Sequence, residues 1–151
     1  MVPPLGTPKD RRALQQALAD GVITAVAVHH QALDAEEQLL PLDQRKPGVA
    51  GHRFVLPCLW QELVEQRGWS AEQLWRALCF APARLLGLTA PSLSLGSDRW
   101  IVFDSSRRWH PVEDSWGPQA ANQPGGHAAL TGQVLASGLI PELQRWRASP
   151  V

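Results

Sequence analysis

The sequence predicts an α/β fold whose final third turns β-rich, on three observations. A capped amphipathic helix runs directly into a short apolar run of β-branched and small residues, which is half of a βαβ rhythm. Two further helices with strong start and stop signals fill the middle of the chain. From Leu93 onward the helical spacing gives way to alternating segments and Gly-rich turns.

The first helix is written in "GTPKDRRALQQALADG": Thr7 as N-cap, Pro8 at the first helical position, Asp10 closing a capping box and Gly21 as the stop. Leu14, Ala17 and Leu18 form its apolar stripe. The run "VITAVAV", residues 22–28, then suits a strand buried on both faces, as in a parallel sheet. After an acidic, proline-broken loop, Leu56, Leu59, Trp60, Leu63 and Val64 recur at helical spacing, predicting an amphipathic helix that ends near Gly68. "SAEQLWRALCF" restarts with a Ser70/Gln73 capping box, and "APARLLGL" adds a short helix between Pro82 and Gly87. "RWIVFDSS" reads as a strand and "RRWHPVEDSW" as strand or loop. "NQPGGHAALTGQVLASG" reads as a turn leading to a last strand, and "PELQRWRASPV" as a weak helical turn.

Fourteen basic and fourteen acidic residues cancel, so charge gives no argument for nucleic acid or an anionic membrane surface. No stretch approaches the roughly 20 apolar residues of a membrane span, and "MVPPLGTPKD" lacks a signal-peptide core. Cys58 and Cys79 lie in apolar helical context without ligand spacing and read as reduced core thiols, which fits a cytoplasmic protein. The seven tryptophans have no common spacing and read as packing residues.

The adjacent His29 and His30 close the apolar run and invite a metal reading. Neighbours on a strand end point to opposite faces and do not converge on one ion. His52, His110 and His127 lack metal-motif spacing, so no metal site is expected. Ser105, His110 and Asp114 lack a nucleophile-elbow context, and Asp34, Glu36 and Glu37 read as a solvated helix start rather than paired catalytic carboxylates.

Five segments in order carry a resemblance. "VPPLGTPKDRRALQQALADGVITAVAVHH" looks like an N-P-P-L-R stretch, a helix and a last barrel strand ending in T-D-H-A-P-H; "KPGVAG" is similar to P-F-G-I-V-G, and "FAPARLLGL" to N-P-A-R-I-L-G-L. "LGSDRWIVFD" and "NQPGGHAALTGQV" look like the segments of a β-rich tail. The chain thus resembles the C-terminal portion of a bacterial dihydroorotase, of the amidohydrolase superfamily, with degenerate active-site motifs. The resemblance implies the last strands and helices of a (β/α) TIM-type barrel over residues 1–88, then a β-rich segment over 89–151. A whole barrel takes roughly 250 residues.

Dihydroorotases interconvert N-carbamoyl-aspartate and dihydroorotate in pyrimidine biosynthesis, using zinc to acidify water and a carboxylate to shuttle its proton. In this chain the carboxylate position holds His29, the position of a substrate-contacting histidine holds Leu33, and the Asn and Arg of N-P-P-L-R fall at Val2 and Gly6. A leucine can neither donate a hydrogen bond nor pair with an anion. Pro47 and Gly48 keep the loop that meets the substrate ring through backbone groups. The resemblance therefore implies zinc in the family and none held by this chain alone. Three alternative partners are implied: a complementing N-terminal barrel chain that would restore an enzyme, or, for a non-catalytic pseudoenzyme, another dihydroorotase chain or aspartate carbamoyltransferase.

Overall fold

Helix α1 (Pro8–Ala19) forms as its sequence dictates: the Asp10 N–H donates to Thr7 Oγ1 at 3.3 Å while the Thr7 N–H donates to Asp10 Oδ2 at 2.7 Å. These bonds satisfy two backbone donors that the first helical turn would otherwise leave orphaned. Gly21, at φ +75°, supplies the left-handed residue that ends the helix. The computed structural model describes residues 4–111, 120–125 and 128–138. The apolar stripe of α1 is only partly covered among them: Leu14 is 61% exposed, Ala17 and Leu18 are half-buried, and no α1 residue is fully buried. A bond from Gln15 Nε2 to Glu62 Oε1, at 2.7 Å, ties the helix to the middle of the chain.

The predicted strand over residues 22–28 is not formed. Its backbone makes two hydrogen bonds among the described residues, Ile23 N–H to Ala17 O and Val26 N–H to Ala77 O, each 3.0 Å, and none of its residues is buried. The reason is non-local. A strand buried on both faces needs neighbours on both edges, and the described residues supply neither.

Helix α2 (Ala35–Leu39) follows, with a capping box in which Asp34 Oδ1 accepts from the Glu37 N–H at 2.7 Å. The acidic run at 34–37 is thus a helix start, as its composition suggests. Helix α3 (His52–Leu59) contains Pro57 and passes into a π-helical segment, Trp60–Glu65. Proline cannot donate to the carbonyl four residues back, and a π-helical turn changes the angular step, so one 3.6-residue stripe does not run the whole length. Of the expected stripe only Leu63 is buried; Leu56, Leu59, Trp60 and Val64 are half-buried, and Phe54 and Pro57 take the inner positions.

Helix α4 (Ala71–Trp75), capped by the predicted Ser70/Gln73 box, continues through a π-helical segment, Arg76–Phe80, into α5 (Ala81–Leu85). Leu74, Ala77, Ala81 and Ala83 form its buried face. Gly87 (φ +67°) ends it; Leu85 and Leu86 at the helix end and Leu88, Leu93 and Leu95 in the linker beyond are exposed. The cysteines depart from expectation, Cys58 being exposed and Cys79 half-buried, both as free thiols. Cys58 follows the buried Pro57 in α3, and partial burial of its thiol raises the thiol pKa.

Strands β1 (Ile101–Trp109) and β2 (Leu130–Ser137) form an antiparallel pair with register shifts at Val102/Phe103 and Asp104/Arg108. Gly132 is required at the second irregularity: it sits at φ +95°, and a Cβ there would lie 2.7 Å from Phe103 Cζ. Its carbonyl accepts from Trp109 Nε1 at 2.7 Å, and the Trp60 and Phe103 rings meet at 5.3 Å, joining the π-helical segment to the sheet. These two tryptophans pack as expected; Trp116, Trp146 and the expected turn at 141–151 lie outside the described residues. The core sits where α3, α4 and β2 meet, with Leu63 and Leu74 fully buried. No helix among the described residues is long and apolar enough to cross a membrane.

Candidate functional site

Three stretches distant in sequence converge where the motifs place a site: residues 29–33, the loop 47–51 and the turn 120–125. The Gln31 N–H donates to Val49 O at 3.1 Å, bringing the Pro47–Gly48 loop against the chain that carries His29. Gly48 makes that approach possible, since a Cβ at this position would stand 2.7 Å from Gln31 Cβ, a backbone-proximal atom that cannot swing aside. At the other end of the loop Lys46 Nζ meets Glu37 Oε1 at 2.9 Å. The Lys46 ammonium, and after it the Asp34 N–H, hold the Glu37 carboxyl below the usual carboxylate range.

Asn122 fastens the third stretch. Its Oδ1 accepts from the Leu33 N–H at 2.9 Å and its Nδ2 donates to Gln31 O at 2.8 Å. Its own carbonyl accepts from the Ala50 N–H at 3.3 Å, and the Ala121 N–H donates to Leu33 O at 2.8 Å. Alternate backbone groups of residues 31–33 are thereby satisfied without a strand neighbour. Sequence patterning gave no hint of Asn122, because a side chain acting across 89 residues leaves no periodic trace; its only signal was its place in the "NQPGG" motif.

The histidines separate. His29 is exposed, whereas His30 stacks on His52 with ring centroids 4.0 Å apart and planes 13° from parallel. His30 Nδ1 also accepts from the N–H of His52, the first residue of α3, at 3.3 Å. Leu33, which the motif resemblance sets opposite a substrate-contacting histidine, is only 5% exposed and belongs to the core. Val2, His127 and Asp114 lie outside the described residues; Gly6 precedes α1 and is exposed.

Zinc bound through histidine needs ring-plane lone pairs converging on one point about 2.0–2.1 Å away. The lone pairs of two nearly parallel stacked rings run side by side and do not converge. No group of three or more His, Cys, Asp or Glu among the described residues is placed to hold a metal ion. These residues do not fit a zinc centre, and the stretch offers no described carboxylate at the family's proton-shuttling position. What the geometry does provide is a hydrogen-bonded backbone frame, with Pro47 exposed at its edge and Gly48 half-buried against Gln31.

No family model matches the chain. It is 41% identical over 134 residues to a probable dihydroorotase-like protein of Synechocystis sp., an alignment covering 89% of this chain and 29% of that protein. It is 33% identical over 132 residues to a dihydroorotase-like protein of Pseudomonas aeruginosa, covering 87% of this chain and 31% of that one. In structure it matches a D-hydantoinase (dihydropyrimidinase) from Thermus sp. with a TM-score of 0.74 at 23% identity, over 91% of this chain and 31% of the hydantoinase. The chain thus spans about three tenths of the length of the curated relatives it matches. The structural match shows that this chain shares the fold of the corresponding part of that protein.

Proposed function

We propose, from a chain similar over most of its length to dihydroorotases and dihydroorotase-like proteins, that this is a dihydroorotase-like segment contributing barrel scaffold without a complete hydrolytic site of its own. One observation carries the reading. Where the family writes a substrate-binding histidine, Leu33 is buried in the core with both its backbone groups engaged. A side chain in that position faces packing atoms and offers no polar contact to a substrate carboxylate. His29 adds to the argument, since cyclic amide hydrolysis needs a base beside an activated water, and among the described residues no group of three or more His, Cys, Asp or Glu is placed to hold a metal ion.

The test is an assay of the purified chain, loaded with zinc, for interconversion of N-carbamoyl-aspartate and dihydroorotate. The expected result is no turnover above buffer, and zinc-dependent turnover by the chain alone would overturn the reading. The substitutions at His29 and Leu33 also favour a non-catalytic interaction role, in the cytoplasm, with aspartate carbamoyltransferase or another dihydroorotase chain as partner. A complementing N-terminal barrel polypeptide carrying the family's His-x-His distinguishes the two roles. Zinc-dependent hydrolysis on mixing would support a split enzyme, whereas a stable but inert complex would support the interaction role.

A further inference from the structure

Residues 31–33 have the hydrogen bonding of a ladder, yet no strand among the described residues lies beside them. One face of an Asn side chain presents an N–H donor and a carbonyl acceptor, the same pair that a peptide group presents to a neighbouring strand. Asn122 directs that pair at Gln31 O and the Leu33 N–H, while its main chain takes the Ala50 N–H and Ala121 takes Leu33 O. The neighbouring residue stiffens the same turn: Gln123 Nε2 donates to Ala120 O at 3.0 Å, and Gln123 Oε1 accepts from Arg53 Nη1 at 3.3 Å. Arg53 in turn lies 4.8 Å above the Trp109 ring at the end of β1.

We propose that Asn122 is a latch: it stands in for a missing strand neighbour and closes the turn 120–123 over both the chain end at 31–33 and the loop 47–51. The three stretches open and close together. A segment of the β-rich tail therefore governs the exposure of the backbone around His29, Pro47 and Gly48, and the tail and the helical part act as one unit at this place. This inference does not depend on the hydrolase reading, because it concerns hydrogen bonds within the chain.

Amide-resolved hydrogen exchange on the full chain tests it, with the β1–β2 ladder as internal reference. Asn122→Ala should accelerate exchange at Gln31, Leu33 and Ala50 together, each by about ten-fold or more, the scale set by losing one hydrogen bond, while the ladder amides keep their rates. Asn122→Asp keeps an acceptor for the Leu33 N–H but loses the donor to Gln31 O, so its acceleration should be smaller at Leu33. Unchanged exchange at Leu33 and Ala50 in Asn122→Ala would overturn the latch. So would independent acceleration at only one of the three amides, or equal acceleration of the ladder in both variants, which would mark Asn122 as a determinant of global stability alone.

Discussion

Residues 22–28 and residues 29–33 are consecutive, come from one motif and were expected to form one strand with its active-site end, yet they meet different fates. The first half has two backbone hydrogen bonds among the described residues and no buried side chain; the second is bonded on alternate groups, buries Leu33 and receives the Asn122 turn. Apolar, β-branched composition is thus not enough to make a strand. The composition of 22–28 is the more strand-like of the two, but what decides order is whether other parts of the chain supply partners.

The sharpest way to break this comparison is to place the family's histidine back at position 33. Leu33→His would remove buried apolar volume and introduce ring nitrogens where the local backbone groups are already taken. It should cost about 3 kcal/mol in a urea unfolding experiment. Val22→Lys, at a position 79% exposed, should change stability by no more than about 0.5 kcal/mol. Comparable costs at the two positions would show that 22–28 is packed after all.

Glycines probe the same contrast with smaller effects. Gly48→Ala forces a methyl group into Gln31 and should cost about 1–2 kcal/mol by overpacking, with the loss felt at the Gln31–Val49 bond. Gly21→Ala meets nothing within 4 Å and suffers only its left-handed backbone conformation (φ +75°), so it should cost about 1 kcal/mol. Amide shifts at Val49 and Ala50 should move in Gly48→Ala and stay in place in Gly21→Ala.

What could be read from the sequence follows the same division. The boxes at Thr7/Asp10 and Ser70/Gln73, the helix start at Asp34, and the two tail strands are encoded by residues a few positions apart, and the structure contains them all. The family resemblance was legible because motif order survives even where individual site residues do not. The fate of 22–28 was not legible, since strand formation depends on partners that no local pattern specifies. The phase change along α3 was hidden for a related reason: periodicity assumes one helical step, and Pro57 with the π-helical turn breaks that assumption. At the candidate site, the motifs named His29, Pro47 and Gly48 as residues of one region, but the Asn122 clamp and the His30–His52 stack join residues too far apart for spacing to reveal.

The smallest effect concerns the ion pair that holds the far end of the 47–51 loop. Lys46 lowers the pKa of Glu37, and Glu37 raises that of Lys46, each chiefly through their hydrogen bond. A carboxyl whose folded pKa is depressed contributes stability above its unfolded pKa, and the contribution is lost as pH falls through the folded value. An amine whose folded pKa is raised contributes below its unfolded pKa and loses that contribution as pH rises through the folded value. The pair therefore persists across neutral pH and loosens in acid below the normal Glu range and in strong base. Because both groups are on the surface, salt should weaken the pair as well. In an NMR titration, the Gly48 amide should shift as Glu37 protonates, and Glu37→Gln should abolish that step while leaving the Leu33 amide unaffected. A Leu33 shift that follows Glu37 would mean that the ion pair, and not only Asn122, orders the latched half.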